Sequence, residues 1–101
     1  MKKNSKTLNE LIQILSQHKK ELKNRYRIKK LKIFGSYVEG KQTEKSDLDL
    51  VVQFYETPTL IELVKIEEEL SELLGVKVDL LTEKSISPFI KPHIRKVEVV
   101  T

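Results

Sequence analysis

The sequence predicts an α/β (α+β) domain, a small mixed β-sheet covered by helices, and three observations carry that prediction. Apolar residues recur at helical spacing in separate segments near residues 8–22 and 60–74. Short alternating runs rich in β-branched residues lie between and after them, around residues 31–34, 48–54 and 76–81. The resulting order is α-β-β-α-β-α, with only about a dozen residues between the first two strands, which favours a mixed sheet over a doubly wound parallel one. The chain has 101 residues, 39% of them apolar and 34% charged, so residues 1–101 are expected to form a single domain with one core.

Each element has a local reason. Leu8, Leu11, Ile12, Leu15 and Leu22 share one stripe and Thr7 stands where a cap belongs, which predicts a helix over about residues 7–24. From Arg27 to Phe34, Leu31 and Ile33 face one way and Lys30 and Lys32 the other, as in a strand that ends at Gly35-Ser36. Residues 36–46 are polar with two turn formers and read as a loop holding at most one helical turn. Leu48, Leu50, Val52 and Phe54 then form one face of a second strand, and Asp47, Asp49, Val51 and Gln53 the other. Thr57-Pro58 reads as N-cap and first helical residue of a helix whose apolar positions Leu60, Leu63, Val64, Leu70, Leu73 and Leu74 run to Gly75. Val76, Val78 and Leu80 give a third strand with Asp79 on its polar side, and Ile90, Ile94 and Val97 predict a last helix over about residues 88–97.

Charge is unevenly placed. The net charge is +4, but the first 32 residues carry +9 and the remainder −5. A basic arm on an acidic body suits a nucleotide phosphate or an acidic protein surface, and its ordinary alternative is a solvated helix face. Nucleic acid is not favoured, because no aromatic residues alternate with these cations as a stacking platform requires. The absence of Cys excludes disulfides and thiolate metal sites, and no apolar run is long enough to span a membrane, so the expected location is cytoplasmic with no membrane partner.

The chemistry concentrates between residues 34 and 54 and at Asp79. Asp47 and Asp49 are two apart on a strand, so their carboxylates leave one face and can converge on hard cations such as Mg²⁺. Asp79 adds a third if its strand lies beside theirs, and three acids on one sheet face make better sense with a cation than without. A D-x-D pair alone is a weak motif, whose ordinary alternative is an exposed strand face dotted with Asp, although Asp is a poor strand former. Gly35-Ser36 supplies a small turn whose backbone N–H groups and Ser36 hydroxyl can approach a polyphosphate, and Gly40 adds a second flexible point. Residues 35–41 formally fit G-x-x-x-x-G-K, but Gln42 stands where a Walker A loop needs Ser or Thr, and a polar loop follows instead of a helix. His18 and His93 lack a second ligand at metal spacing and read as structural or surface residues, while Tyr37 is open to base stacking or to packing.

Gly35-Ser36, a nine-residue spacer containing Gly40, and then Ser46-Asp47-Leu48-Asp49-Leu50 together resemble the signature of the DNA polymerase β-like nucleotidyltransferases, most closely their minimal nucleotidyltransferase (MNT) branch. With Val78-Asp79-Leu80 and the Pro-containing last segment, the resemblance covers about residues 8–97. It implies the polymerase β-like nucleotidyltransferase fold, contact of Gly35 and Ser36 with a triphosphate, two Mg²⁺ ions on Asp47 and Asp49, and Asp79 completing the metal site or taking the acceptor's proton. It further implies ATP as substrate and an antitoxin that transfers AMP to a tyrosine of a HEPN-type RNase toxin, with homo- or hetero-oligomers open to it. Similar members often carry Arg where this chain has Glu39, leaving Lys41 or Lys45 to supply the positive charge. The competing functions are an antitoxin that only binds its toxin, for which Glu39 speaks, and a nucleotidyltransferase acting on RNA or a small molecule.

Overall fold

The computed structural model describes residues 6–43, 45–83 and 96–100. Helix α1 (Leu8–Gln17) opens with a capping box in which Thr7 Oγ1 accepts from the Glu10 N–H at 3.2 Å and the Glu10 carboxylate accepts from the Thr7 N–H at 2.8 Å. The helix expected over residues 7–24 is two helices. It breaks at His18 (φ −104°, ψ 14°), whose Nδ1 lies 2.9 Å from the Ile14 carbonyl oxygen, and α2 (Lys19–Arg25) follows. Leu11, Leu15 and Leu22 are still all buried, so the apolar stripe survives the break. Arg27 then takes a left-handed conformation (φ 58°) to turn the chain into the sheet, and its carbonyl accepts from the Tyr55 N–H at 3.0 Å.

Four strands form the mixed sheet in the order β3-β2-β1-β4. Strand β1 (Ile28–Phe34) runs antiparallel to β2 (Leu48–Phe54), from Ile28 opposite Phe54 to Phe34 opposite Asp49. Strand β3 (Val78–Thr82) runs parallel to β2. Strand β4 (Lys96–Val100) lies antiparallel on the far side of β1. This last strand corrects the helix expected over residues 88–97. Most of that segment lies outside the described residues, but Lys96 and Val97 pair with Phe34 and Ile33, because three valines in five residues suit the free edge of β1.

Helix α4 (Leu60–Leu74) starts two residues later than Thr57-Pro58 suggested. Its N-cap is Thr59, in a second capping box with Glu62 (3.1 and 2.9 Å). Thr59→Ala is therefore expected to cost about 1 kcal/mol in chemical denaturation, whereas Thr57→Ala should be neutral. The helix buries Ile66, Leu70 and Leu74 against the sheet, which rotates Leu60 and Val64 out of the core to 76% and 45% exposure. Those two residues were expected inside. The core itself lies between one sheet face, with Leu31, Ile33, Leu50, Val52 and Leu80, and the helices α1, α2 and α4.

Helix α4 also protects the sheet edge. Among the described residues strand β3 has a neighbour on one side only, yet two of its N–H groups find acceptors on α4: Val78 donates to Ser71 Oγ at 3.0 Å and Leu80 to Glu67 Oε2 at 2.8 Å. These two bonds straddle Asp79 and hold its stretch of strand in place. Among the described residues no helix is long and apolar enough to cross a membrane.

Candidate active site

Strand β1 delivers the chain to Gly35, whose backbone (φ 83°, ψ −152°) lies in a region essentially restricted to glycine. A Cβ at this position would overlap Asp49 Oδ2 and lie 3.1 Å from its Cγ and 3.3 Å from its Cβ. Glycine is thus required both by the turn and by the carboxylate resting against it. The single-turn helix α3 (Ser36–Glu39) follows, with Val38 and Glu39 donating to the Gly35 carbonyl at 3.1 and 3.2 Å, and it stops at the left-handed Gly40 (φ 73°). Tyr37, only 4% exposed, anchors this turn in the core. Of the two roles open to it, packing is the one it has. Burial pushes its hydroxyl above the ordinary tyrosine value, and the charge of Asp47 adds to the shift.

The polar loop ends in a tight turn in which Ser46 Oγ accepts from the Thr43 N–H at 2.9 Å and the Ser46 N–H donates to the Thr43 carbonyl at 3.1 Å. This turn sets Asp47 at the mouth of β2. The Leu48 N–H next to it donates to the Lys77 carbonyl at 2.8 Å, starting the ladder to β3. Asp49 then stands in register with Asp79 on β3 and with Phe34 on β1. Register neighbours in a sheet point to the same face about 4.8 Å apart, so the Asp49 and Asp79 carboxyls share one patch at the Gly35 end of the sheet. Burial pushes the Asp49 carboxyl above its ordinary value, and the charges of Asp79 and Asp47 push it further.

Acids gathered in this way repel one another, and a cation among them would relieve that repulsion. Among the described residues no three His, Cys, Asp or Glu side chains form a ready-made metal cage. Magnesium does not need one, because it is commonly held by one or two carboxylates with phosphate and water oxygens completing its shell. An Asp49 that resists ionisation beside two further acids fits such an ion.

Of the residues predicted for the site, Gly35, Asp49 and Asp79 are brought together by register and contact, Ser36 opens α3 directly after Gly35, and Asp47 is close enough for its charge to act on both Asp49 and Tyr37. Glu39 does not stand alone against a phosphate, since Lys41 Nζ lies 3.8 Å from its carboxylate with both side chains largely in solvent. One feature of the loop escaped the sequence reading. Gln42, noticed only because it is not Ser or Thr, carries a buried Oε1 with no hydrogen-bond partner. His18 is structural, as expected, and His93 lies outside the described residues. A cleft of about 480 Å³ at the opposite end of the sheet is lined by Arg25, Arg27, Glu56 and Glu69, whose charges pair with one another. It holds none of the predicted residues.

Comparison with known proteins bears on this geometry directly. The family described as the nucleotidyltransferase domain matches residues 15–99. A relative from Methanocaldococcus jannaschii is 48% identical over 92 residues, covering 90% of this chain and 94% of that protein. Another, from Thermococcus cleftensis, named protein adenylyltransferase MntA, is 43% identical over 95 residues, covering 93% of this chain and 96% of its own length. Among solved structures, a toxin-antitoxin crystal structure with AMP-PNP superposes with a TM-score of 0.62 at 25% identity, over 87% of this chain and 69% of that one. A complex of the tri-AMPylated Shewanella oneidensis HEPN toxin with its MNT antitoxin shares the fold at a TM-score of 0.62 and 22% identity, over 89% of this chain and 73% of that one.

Proposed function

The chain belongs to the nucleotidyltransferase domain family, and from that premise we propose that it is a protein adenylyltransferase antitoxin moving AMP from ATP to a tyrosine of a HEPN-type RNase toxin. The observation that carries the reading is the register of Asp49 against Asp79 beside Gly35, with Asp47 at the start of the same strand. Support comes from the name of the Thermococcus cleftensis relative and from the AMP-PNP in a structural neighbour.

In this reading Asp47 and Asp49 hold Mg²⁺, two ions in all, and Asp79 completes the set or accepts the proton of the attacking hydroxyl. Bound Mg²⁺ supplies neutralisation of the carboxylates and stabilisation of charge on the phosphates. The Gly35-Ser36 turn lets the backbone come close to the triphosphate, because Gly35 carries no side chain and the Ser36 and Tyr37 N–H groups precede the first hydrogen bond of α3, which Val38 makes to the Gly35 carbonyl. The protein's share of catalysis is positioning and electrostatics, which one small domain over residues 1–101 can provide.

The direct test is incubation with labelled ATP, Mg²⁺ and a HEPN-type toxin protein, followed by intact mass measurement. AMP increments on the toxin are the expected result. Tight toxin binding with no increment would instead establish the second reading, an antitoxin that acts by binding alone, which Glu39 favours. Glu39→Arg separates the two further. It is expected to lower the apparent KM for ATP if the α3 loop faces the nucleotide, and an unchanged KM would show that the Glu39–Lys41 pair turns to solvent.

A further inference from the structure

We propose that Tyr55 is a second acceptor of the transferred AMP, modified in trans by another copy of the chain. The inference rests on the proposed adenylyltransferase reading and adds to it a modification site on the enzyme itself.

Of the three tyrosines in the chain, two are withheld from any external active site. Tyr37 is 4% exposed in the core. Tyr26 donates its hydroxyl hydrogen bond to Glu69, and burial together with that bond pushes its pKa up to about 12. Tyr55 differs on each count. It follows the last residue of β2 and is 62% exposed, and the Lys29 ammonium lies 6.0 Å from its ring centre. That cation is placed to offset the negative phosphate an AMP group would bring. The side chain also lines a shallow cleft with Val52, Phe54 and Pro58, whose apolar atoms give a second protein surface something to rest on while the hydroxyl is presented.

The sheet excludes reaction within one molecule. Asp49 sits at the Phe34 end of the β1–β2 ladder, while Tyr55 follows Phe54, the partner of Ile28 at the other end. Six residues of extended strand separate them by roughly 20 Å, well beyond the length of a tyrosine side chain. The acceptor tyrosine must therefore come from a neighbour. In the step itself, Tyr55 Oη forms a bond to the α-phosphorus of ATP and the bond from that phosphorus to the bridging oxygen of the β-phosphate breaks. Pyrophosphate leaves with the electron pair, and the phenol proton passes to a carboxylate of the site or to water.

The experiment mixes wild-type protein with a mass-tagged Asp49→Asn copy, ATP and Mg²⁺, and reads intact mass and peptide maps, with a HEPN-type toxin as a parallel acceptor. One AMP increment on the inactive copy, mapped to Tyr55 and reduced at least tenfold by Tyr55→Phe in that copy, is the expected result. In the absence of toxin, labelling of wild-type protein alone should rise with the square of its concentration. Toxin labelled while Tyr55 stays bare, label mapped to Tyr26 or Tyr37, or a rate linear in concentration would overturn the inference and leave the proposed function standing. No label on either acceptor would overturn both.

Discussion

Asp49→Asn is expected to lower AMP transfer by at least about 10³-fold while raising the melting temperature of the metal-free protein at neutral pH. The two effects have one origin. Burial and the charges of Asp79 and Asp47 raise the Asp49 carboxyl above its ordinary value of 3.8, so the folded state binds this proton more tightly than the unfolded chain does. Stability associated with the protonated form is present below about pH 3.8 and is lost as the pH rises through the higher folded-state value. An uncharged Asn of the same shape escapes that loss. The gain in melting temperature should thus be largest near pH 7 and vanish on acidification toward pH 3.8, as read by scanning calorimetry across the range. Adding Mg²⁺ should reverse the order, because a cation that binds the folded wild type stabilises it and finds a poorer ligand set in the variant. Equal transfer by both proteins would place the chemistry elsewhere, and a lower melting temperature for the metal-free variant at pH 7 would mean that the carboxylate serves a structural hydrogen bond.

The carboxylate site was legible because it is written locally and with period two. Asp47 immediately precedes β2 and Asp49 lies in it, two residues on, and the parity of Val78-Asp79-Leu80 already placed Asp79 on the polar face, so only the adjacency of β2 and β3 remained for the structure to supply. The parts that were not legible depend on contacts distant in sequence. Nothing in the Ser-Gln-His-Lys run around His18 breaks a helix by propensity; the break shows only in the backbone of His18, with Leu15 and Leu22 on either side of it both in the core. Leu60 and Val64 match the helical period of α4, but its phase is fixed by Ile66, Leu70 and Leu74 against the sheet, which leaves the first turn outside. Strand β4 is five residues long, too short to show alternation, and Val97 happens to stand at helical spacing from Ile90 and Ile94. Its identity comes from the unpaired edge of β1 that it covers.

The Gly35 turn ties the sequence motif to the geometry most tightly, and a pair of substitutions reads that link. Gly35→Ala is expected to lower transfer by at least about 10²-fold, and Gly40→Ala to leave it nearly unchanged. Both glycines have positive φ, 83° and 73°, so alanine is strained at each. At Gly40 the added methyl meets nothing within 4 Å, and the left-handed backbone alone should cost about 1 kcal/mol. At Gly35 the ψ of −152° places the residue where side chains are essentially never found, a cost of roughly 1–3 kcal/mol, and the methyl would also overlap the Asp49 carboxylate. Relief is available only by swinging Asp49 away from its position beside Asp79 or by shifting β1 against β2, and either movement spoils the convergence of acids on which the proposed Mg²⁺ binding depends. Calorimetric titration with Mg²⁺ and ATP separates this from simple unfolding. Gly40→Ala should titrate like wild type, while Gly35→Ala, folded by circular dichroism, should show weakened metal-dependent nucleotide binding. If folded Gly35→Ala binds and transfers normally, the close approach of Gly35 to Asp49 is not part of the working site.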